Sequence, residues 1–485
     1  MVPPPTARPL TMIVLVLLLA SMGSRATAIG VNWGTSSSHP LPPAIVLQLL
    51  KSNRISKVRL LDADPALLGA LSGSDVDVTV GIPNAMLRSF NSSIKAAESW
   101  VHDNVTRYFS GGRGVRIEYV AVGDESFLLG HDDQFYPFVV GAATNIQAAL
   151  TKANLGSKVK VVVPCSADSF ESESSLPSKG HFRIEVNSTM VQILKLLSEH
   201  RSPFFVTISP YQSLLQSKNT TLNFALFKET AQSRKDGQRK YKNSFDLSYD
   251  TLVTALYSSG FPNMEIVISQ IGWPTDGAAY ATSILAEEFM KGLLDHLHSK
   301  SGTPLRPQNP PIETYLFSLL DEDQRNISSG NFERHWGLFT FDGQAKYQVY
   351  MGQTSKKLTN AQGVEYLPSR WCVVNNNKDM SNATAEALDA CSVADCTQLS
   401  PNGSCFNLSW PANLSYAFNS FYQQHDQRAD SCSFGGVGLI TTVDPSTVNC
   451  LFTIGLQTSH SDSFAWGFST QLMNFLLTYI LVLLK

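Results

Sequence analysis

A (β/α)8 barrel followed by a small disulfide-rich domain is the architecture this 485-residue chain predicts. Two observations point to it. Short apolar runs alternate with amphipathic stretches from Ile29 to about Tyr350, and six of the seven cysteines fall in the last quarter of the chain. Eight such runs in alternation with helical patterns are the signature of a closed parallel barrel. A doubly wound open sheet is the rival, but no glycine-rich phosphate turn follows the first run.

The strand candidates, in order, are Gly30–Trp33, Lys57–Leu61, Val76–Ile82, Val115–Val122, Val159–Val163, Phe204–Ile208, Glu265–Ser269 and Tyr315–Leu319. Each is short, rich in β-branched or aromatic residues, and bounded by polar or glycine-containing segments. Between them, Ile94–Tyr108, Phe138–Lys152, Thr189–Glu199 and Leu247–Ser258 repeat apolar residues at helical spacing. In a barrel, function gathers at the C-terminal ends of the strands, so the residues just after each run are the ones to inspect.

The rest of the chain divides by composition. Residues 1–28 carry Arg8, an apolar core from Leu10 to Ala20, and Ala26-Thr27-Ala28. That is the layout of a secretory signal peptide. Residues 29–350 form the expected barrel and 351–370 an aperiodic linker. Residues 371–452 form the cysteine-rich domain, and 453–485 end in the apolar stretch Gln471 to Leu484 after Ser459, Ser461, Asp462 and Ser463. The stretch is shorter than a spanning helix and almost nothing follows it, the pattern of a GPI-anchor signal; a membrane-spanning tail is the competing reading.

Cys372, Cys391, Cys396, Cys405, Cys432 and Cys450 read as a disulfide framework with 15 possible connectivities. Their spacing lacks the paired C-x-x-C units of a zinc site. Cys165, left over after Val161-Val162-Val163, reads as an inert buried thiol. Sequons at Asn91, Asn104, Asn187, Asn219, Asn326, Asn382, Asn402, Asn407 and Asn413 point to a glycosylated, exported surface. A net charge of −3 argues against nucleic-acid binding. The basic run Ser233-Arg234-Lys235 reads as a surface turn.

Two strand ends carry polar residues suited to chemistry. The fourth run ends Val122-Gly123-Asp124-Glu125-Ser126, and the seventh ends Ser269-Gln270. Strands four and seven face each other across a barrel. Two carboxyls about 5 Å apart across a glycosidic bond would perform retaining hydrolysis, one as acid/base and one as nucleophile. Only one of these two positions, Glu125, carries a carboxyl of its own at the expected place.

An ordered set of motifs resembles the plant β-1,3-glucanases of glycoside hydrolase family 17. It comprises Gly30-Val31-Asn32-Trp33-Gly34, Val78-Thr79-Val80-Gly81-Ile82-Pro83-Asn84, Val120-Ala121-Val122-Gly123-Asp124-Glu125, Asn145-Ile146-Gln147-Ala148-Ala149-Leu150, Ile271-Gly272-Trp273-Pro274, Gly302-Thr303-Pro304-Leu305-Arg306-Pro307 and Trp336-Gly337-Leu338-Phe339. The C-terminal domain resembles carbohydrate-binding module family 43 through Trp371-Cys372-Val373, Ser415-Tyr416-Ala417-Phe418-Asn419, Cys432-Ser433-Phe434 and Asp444-Pro445-Ser446.

The resemblance implies Glu125 as general acid/base and places Gln270 at the nucleophile position of an E-x-G-W-P pattern. It implies Glu322 and Glu333 as further cleft acids, and Arg325 where the family has Lys. Trp33, Asn84, Asp124, Trp273, Arg325 and Tyr416 are the expected substrate-binding residues. Asp124 stands where Asn is usual, and Trp33 where Tyr is usual. Trp336 is a further aromatic of the cleft, with packing as its competing role.

A neutral amide cannot supply the charge that a nucleophilic carboxylate gives an oxocarbenium-like transition state. The implied activity is therefore endohydrolysis of β-1,3-glucan (callose), weakened or abolished at Gln270. The alternative is a glucan-binding protein without hydrolysis. No cofactor or metal is expected. The expected setting is a monomer on the outer face of the plasma membrane, held by a GPI lipid in contact with the wall.

Overall fold

The computed structural model describes residues 29–457, apart from 110–112, 132–133, 300, 308–311 and 352–356. The expected leader and the apolar tail lie outside the described residues. Among the described residues, no helix is long and apolar enough to cross a membrane.

Nine parallel strands form one sheet: β1 (Ile29–Trp33), β2 (Lys57–Leu60), β3 (Asp77–Ile82), β4 (Arg116–Val122), β5 (Lys160–Val162), β6 (Pro164–Ser166), β7 (Phe204–Thr207), β8 (Ile266–Ile271) and β9 (Thr314–Leu316). Their order is β5-β4-β3-β2-β1-β9-β8-β7-β6. Because β5 and β6 are consecutive in the chain, the sheet closes on itself. The expected fifth run, Val159–Val163, covers only the first half of a strand that continues through Pro164–Ser166. The first half of that strand pairs with β4 and the second with β7, and the change of partner falls at Val163-Pro164. Pro164 has no N–H to give a ladder, so a break there is the natural outcome.

The interior is filled by Tyr119, Ala121, Val162, Phe205, Val267 and Tyr315. Outside it, helices such as Tyr136–Lys152, Ile184–Glu199, Ser244–Ser258 and Ser283–His298 bury one apolar face against the strands. The last of these is not among the helical stretches read from sequence. The stretch expected as Ile94–Tyr108 is an α-helix to Asn104 and then a 3-10 turn over Thr106–Tyr108. At the N-terminal end of the barrel, Lys57 Nζ donates to Glu118 at 2.6 Å and to Glu313 at 2.9 Å. Glu118 is therefore a structural acid at the floor.

One irregularity matters for the site. Ile268 pairs with Val206, but Gln270, not Ser269, pairs with Thr207. Strict alternation from the inward Val267 would turn Gln270 outward. The bulge at Ser269 inserts one residue and re-aims Gln270 toward the barrel mouth.

The C-terminal domain pairs Trp371–Val374 with Gly438–Thr441 antiparallel, packs helix Ala412–Gln424 against that ribbon and helix Ala383–Val393 against that helix. Its disulfides are Cys372–Cys432, Cys391–Cys396 and Cys405–Cys450. Cys165 is free and buried, and burial pushes its thiol up. The chain entering this domain does not hang free. Leu358 and Ala361 join the barrel core, Thr359 exchanges hydrogen bonds with Asn53, and the Tyr366 hydroxyl donates to Asp342 at 2.8 Å.

Candidate active site

Glu125 sits in the turn after β4 with φ +49, a left-handed backbone that an ordinary residue adopts only when its surroundings enforce it. The enforcement is visible. The Glu125 amide donates to Pro164 O at 3.1 Å, at the break between β5 and β6. Asn84, at the end of β3, donates to Asp124 O and accepts from Asp124 N, each at 2.8 Å, and accepts from the Ser126 hydroxyl. Asn84 thus braces the acid-bearing turn through both ends of its amide.

Burial first, and the neighbouring Asp124 charge second, push the Glu125 carboxyl up from 4.5 to about 7; the Thr207 hydroxyl works against them. An acid with that affinity for its proton is matched to general-acid work near neutrality.

Gln270, at the end of β8, is nearly buried. Its Nε2 donates to both oxygens of Asp124, at 3.1 and 3.2 Å. Asp124 Oδ1 also accepts from Arg59 Nη2 at 2.6 Å. Arg59, with a side chain only 1% exposed, reaches Asn32 Oδ1 at 2.8 Å through its other terminal nitrogen. Asn32 in turn donates to the carbonyls of Ser269 and Leu316. The result is one chain of hydrogen bonds linking β8, the β4 turn, β2 and β1. Asp124, expected to face substrate, bonds Arg59 and the amide while its side chain stays 30% exposed. Sequence reading missed Arg59 and the bonding role of Asn32. The available signal was a guanidinium inside the apolar run Val58-Arg59-Leu60, since a charge buried in a strand requires partners.

The opposite wall comes from the chain after β9. Glu322, almost fully buried, accepts from Ser36 N at 2.9 Å. Arg325 lies between Glu322 (3.5 Å) and Glu333 (3.3 Å), with its guanidinium 4.5 Å above the Phe317 ring. Burial opposes the Arg325 charge, but Glu322, Glu333 and Asp124 outweigh it and hold its pKa above the ordinary value. Burial pushes the Glu322 carboxyl up, with Arg325 opposing. Glu333 also accepts from Trp336 Nε1 at 3.2 Å. Glu322, Arg325 and Glu333 are therefore brought together on one wall.

The aromatic expectations fare differently. Trp273 is 0% exposed, packed among Tyr211 and Phe289, with Nε1 on Tyr280 O at 2.9 Å. Trp33 is 4% exposed and belongs to the core. Tyr416 is 6% exposed and packs edge-on against Phe452 inside the C-terminal domain. None presents a free ring face to a sugar, which corrects all three. Trp336 is likewise enclosed, so packing is its role. Gly272 of the same motif has a steric cause: a Cβ there would lie 1.9 Å from Phe317 O.

A separate hollow of about 330 Å³, lined by Ser174, Phe224, Arg234, Asp236, Tyr241 and Leu247 among others, shares no residue with this cleft. Among the described residues there is no group of three His, Cys, Asp or Glu side chains that could hold a metal ion.

A barrel with a buried, proton-holding glutamic acid at one strand end and further acids on a wall of the same cleft fits the glycoside-hydrolase class. The chain belongs to glycosyl hydrolases family 17, whose model matches residues 29–351; an X8 domain matches residues 370–439. It is 62% identical over 466 residues to glucan endo-1,3-beta-glucosidase 9 of Arabidopsis thaliana, covering 96% of this chain and 95% of that one. Glucan endo-1,3-beta-glucosidase 5 of the same plant is 43% identical, covering 92% of this chain and 91% of the other. Among solved structures, a β-1,3-glucanase and allergen of Cryptomeria japonica pollen superposes with a TM-score of 0.64 at 35% identity, over 67% of this chain and 100% of that one.

Proposed function

We propose that the cleft holds β-1,3-glucan of the callose type and hydrolyses it weakly or not at all. Family membership and the similarity to glucan endo-1,3-beta-glucosidases support the ligand class. The X8 domain is a second glucan-binding unit in this reading.

The observation that carries the chemical half of the proposal is the Gln270 amide donating to Asp124. In the retaining reaction, a carboxylate attacks the anomeric carbon while the acid protonates the leaving oxygen, and water then releases the glycosyl-enzyme. Glu125 is suited to deliver the proton. An amide is a poor nucleophile and brings no negative charge to the developing oxocarbenium ion. Losing one such electrostatic group commonly lowers the rate about 10²–10³-fold. Asp124 does not replace it, because one of its oxygens is held by Arg59 and both face the amide.

The protein acts outside the cell in this reading, as a monomer tethered to the plasma membrane through a GPI lipid. The segments behind that assignment are residues 1–28 and the apolar tail. Release of the protein from intact cells by a phosphatidylinositol-specific phospholipase tests the anchor.

The test of function is paired. Reducing-sugar release from linear β-1,3-glucan is measured beside binding of the same polymer by the purified protein. Binding with turnover at least about 10²-fold below an active homologue is expected. Turnover at the rate of that homologue overturns the chemical half, and absence of binding overturns the ligand.

A further inference from the structure

The C-terminal domain is seated on the rim of the cleft through three separate stretches of the barrel. Arg334 Nη1 donates to Asp395 at 3.1 Å, and His335 Nε2 lies 2.7 Å from the Thr397 hydroxyl. Asp276 accepts from the backbone N and the hydroxyl of Ser404, and Gly277 O accepts from Ser400. On the far side, His39 Nε2 is 3.0 Å from Asp426. Asp276 and Gly277 follow directly on the Gln270-to-Thr275 segment, and Arg334 and His335 follow directly on Glu333.

The Arg334 contact has a particular geometry. Asp395 lies in the small loop closed by Cys391–Cys396, and its Oδ1 also accepts from the Thr397 backbone at 3.0 Å and hydroxyl at 2.6 Å. Arg334 and Asp395 side chains are each 14% exposed, so the pair is shielded from water. Through Nε, Arg334 donates to Arg325 O at 3.1 Å. Arg325 is the residue that bridges Glu322 and Glu333. One unbroken series of contacts therefore runs from a disulfide-closed loop of the second domain to the acids of the cleft wall.

We propose that Asp395 is a positioning residue for the glucan cleft: by fixing Arg334 it fixes Arg325 and the two acids, so the docked X8 domain sets the affinity of the barrel's own site. This rests on the glucan reading of the cleft given above. The domain is then part of the cleft's construction as well as a binder in its own right. Coupling of this kind between neighbouring elements commonly changes affinity about 5-fold or more.

The test uses the full chain in a Glu125→Gln background, which removes any turnover, with a linear β-1,3-linked glucohexaose as probe. Backbone hydrogen exchange of residues 321–337 is followed as the hexaose is titrated, so that cleft binding is read apart from binding to the X8 domain. Asp395→Ala and Arg334→Ala are each expected to raise the concentration giving half-protection about 5-fold or more, with no further shift in the double variant. Thr397→Val, which removes only the hydroxyl between Asp395 and His335, shifts it in the same direction. Exchange in Ala412–Gln424 should be unchanged, showing that the domain is still folded; if it rises in Asp395→Ala, the Thr397→Val result decides. Asp395→Ala titrating like its parent, or additive losses in the double variant, overturns the inference. No protection of 321–337 in the parent at any concentration overturns the glucan reading itself, and the inference with it.

Discussion

The amide nitrogen of Gln270 lies 3.1 and 3.2 Å from the two carboxylate oxygens of Asp124 and donates to both. The two side chains are therefore one arrangement. A carboxylate at 124 accepts what an amide at 270 gives, and Arg59 balances the remaining charge. Either residue exchanged alone would break the set.

The first prediction follows directly. Gln270→Glu alone would set a second carboxylate about one hydrogen bond from Asp124, and like charges so close cannot both ionise easily. Hydrolysis of linear β-1,3-glucan should stay low in that variant. The double variant Asp124→Asn, Gln270→Glu restores an amide–carboxylate pair with the charge at 270, and its reducing-sugar release should exceed the natural protein's by about 10²-fold or more. Equal rates for the single and double variants would refute the pairing.

Glu125 should titrate near neutrality. Its carboxyl is held at about 7, by burial first and by Asp124 second. Asp124→Asn should lower that value while leaving it above 4.5, read by carboxyl-carbon NMR against pH. The sign for stability follows from linkage. A folded acid that binds its proton more tightly than the unfolded chain adds stability below pH 4.5, and that stability is lost as pH rises through about 7. Glu125→Gln should flatten the fall in unfolding free energy across that window, measured by urea titration at several pH values.

Arg59→Met removes the cation that serves both Asn32 and Asp124. Leaving these partners without it should destabilise the barrel by about 3 kcal/mol, with a matching drop in Tm by calorimetry. A loss below about 0.5 kcal/mol would place Arg59 with ordinary surface charges.

Gly272→Ala should be strongly destabilising although the position is a single methyl from natural. The added Cβ would meet a backbone carbonyl, Phe317 O, at 1.9 Å, so β8 and the chain after β9 must separate. A loss of about 1–3 kcal/mol or more is expected from chemical denaturation. Full stability in that variant would mean the two segments can part freely.

Much of this was legible in sequence because it depends on local pattern. The eight apolar runs mark the barrel strands, and the polar residues following the fourth and seventh runs mark Glu125 and Gln270. The clustered cysteines mark the stapled domain. The bulge at Ser269 was not legible, since periodicity from Val267 turns Gln270 the wrong way and only the pairing with Thr207 reveals the extra residue. The same holds for Trp33, Trp273 and Tyr416. An aromatic at a strand end reads equally as a sugar platform or as core, and the choice depends on what lies above it.

Sequence alone thus determined the barrel, the stapled domain behind it and the presence of Glu125 and Gln270 at two strand ends, because each is a matter of residue type and spacing. The tertiary structure decided three things: the Asp124–Gln270–Arg59 linkage, Asn84 as a brace, and the seating of Asp395 on Arg334. These join residues 65, 146, 40 and 61 positions apart. No local pattern encodes such contacts; they exist only once the closing of the sheet brings distant strand ends to one rim.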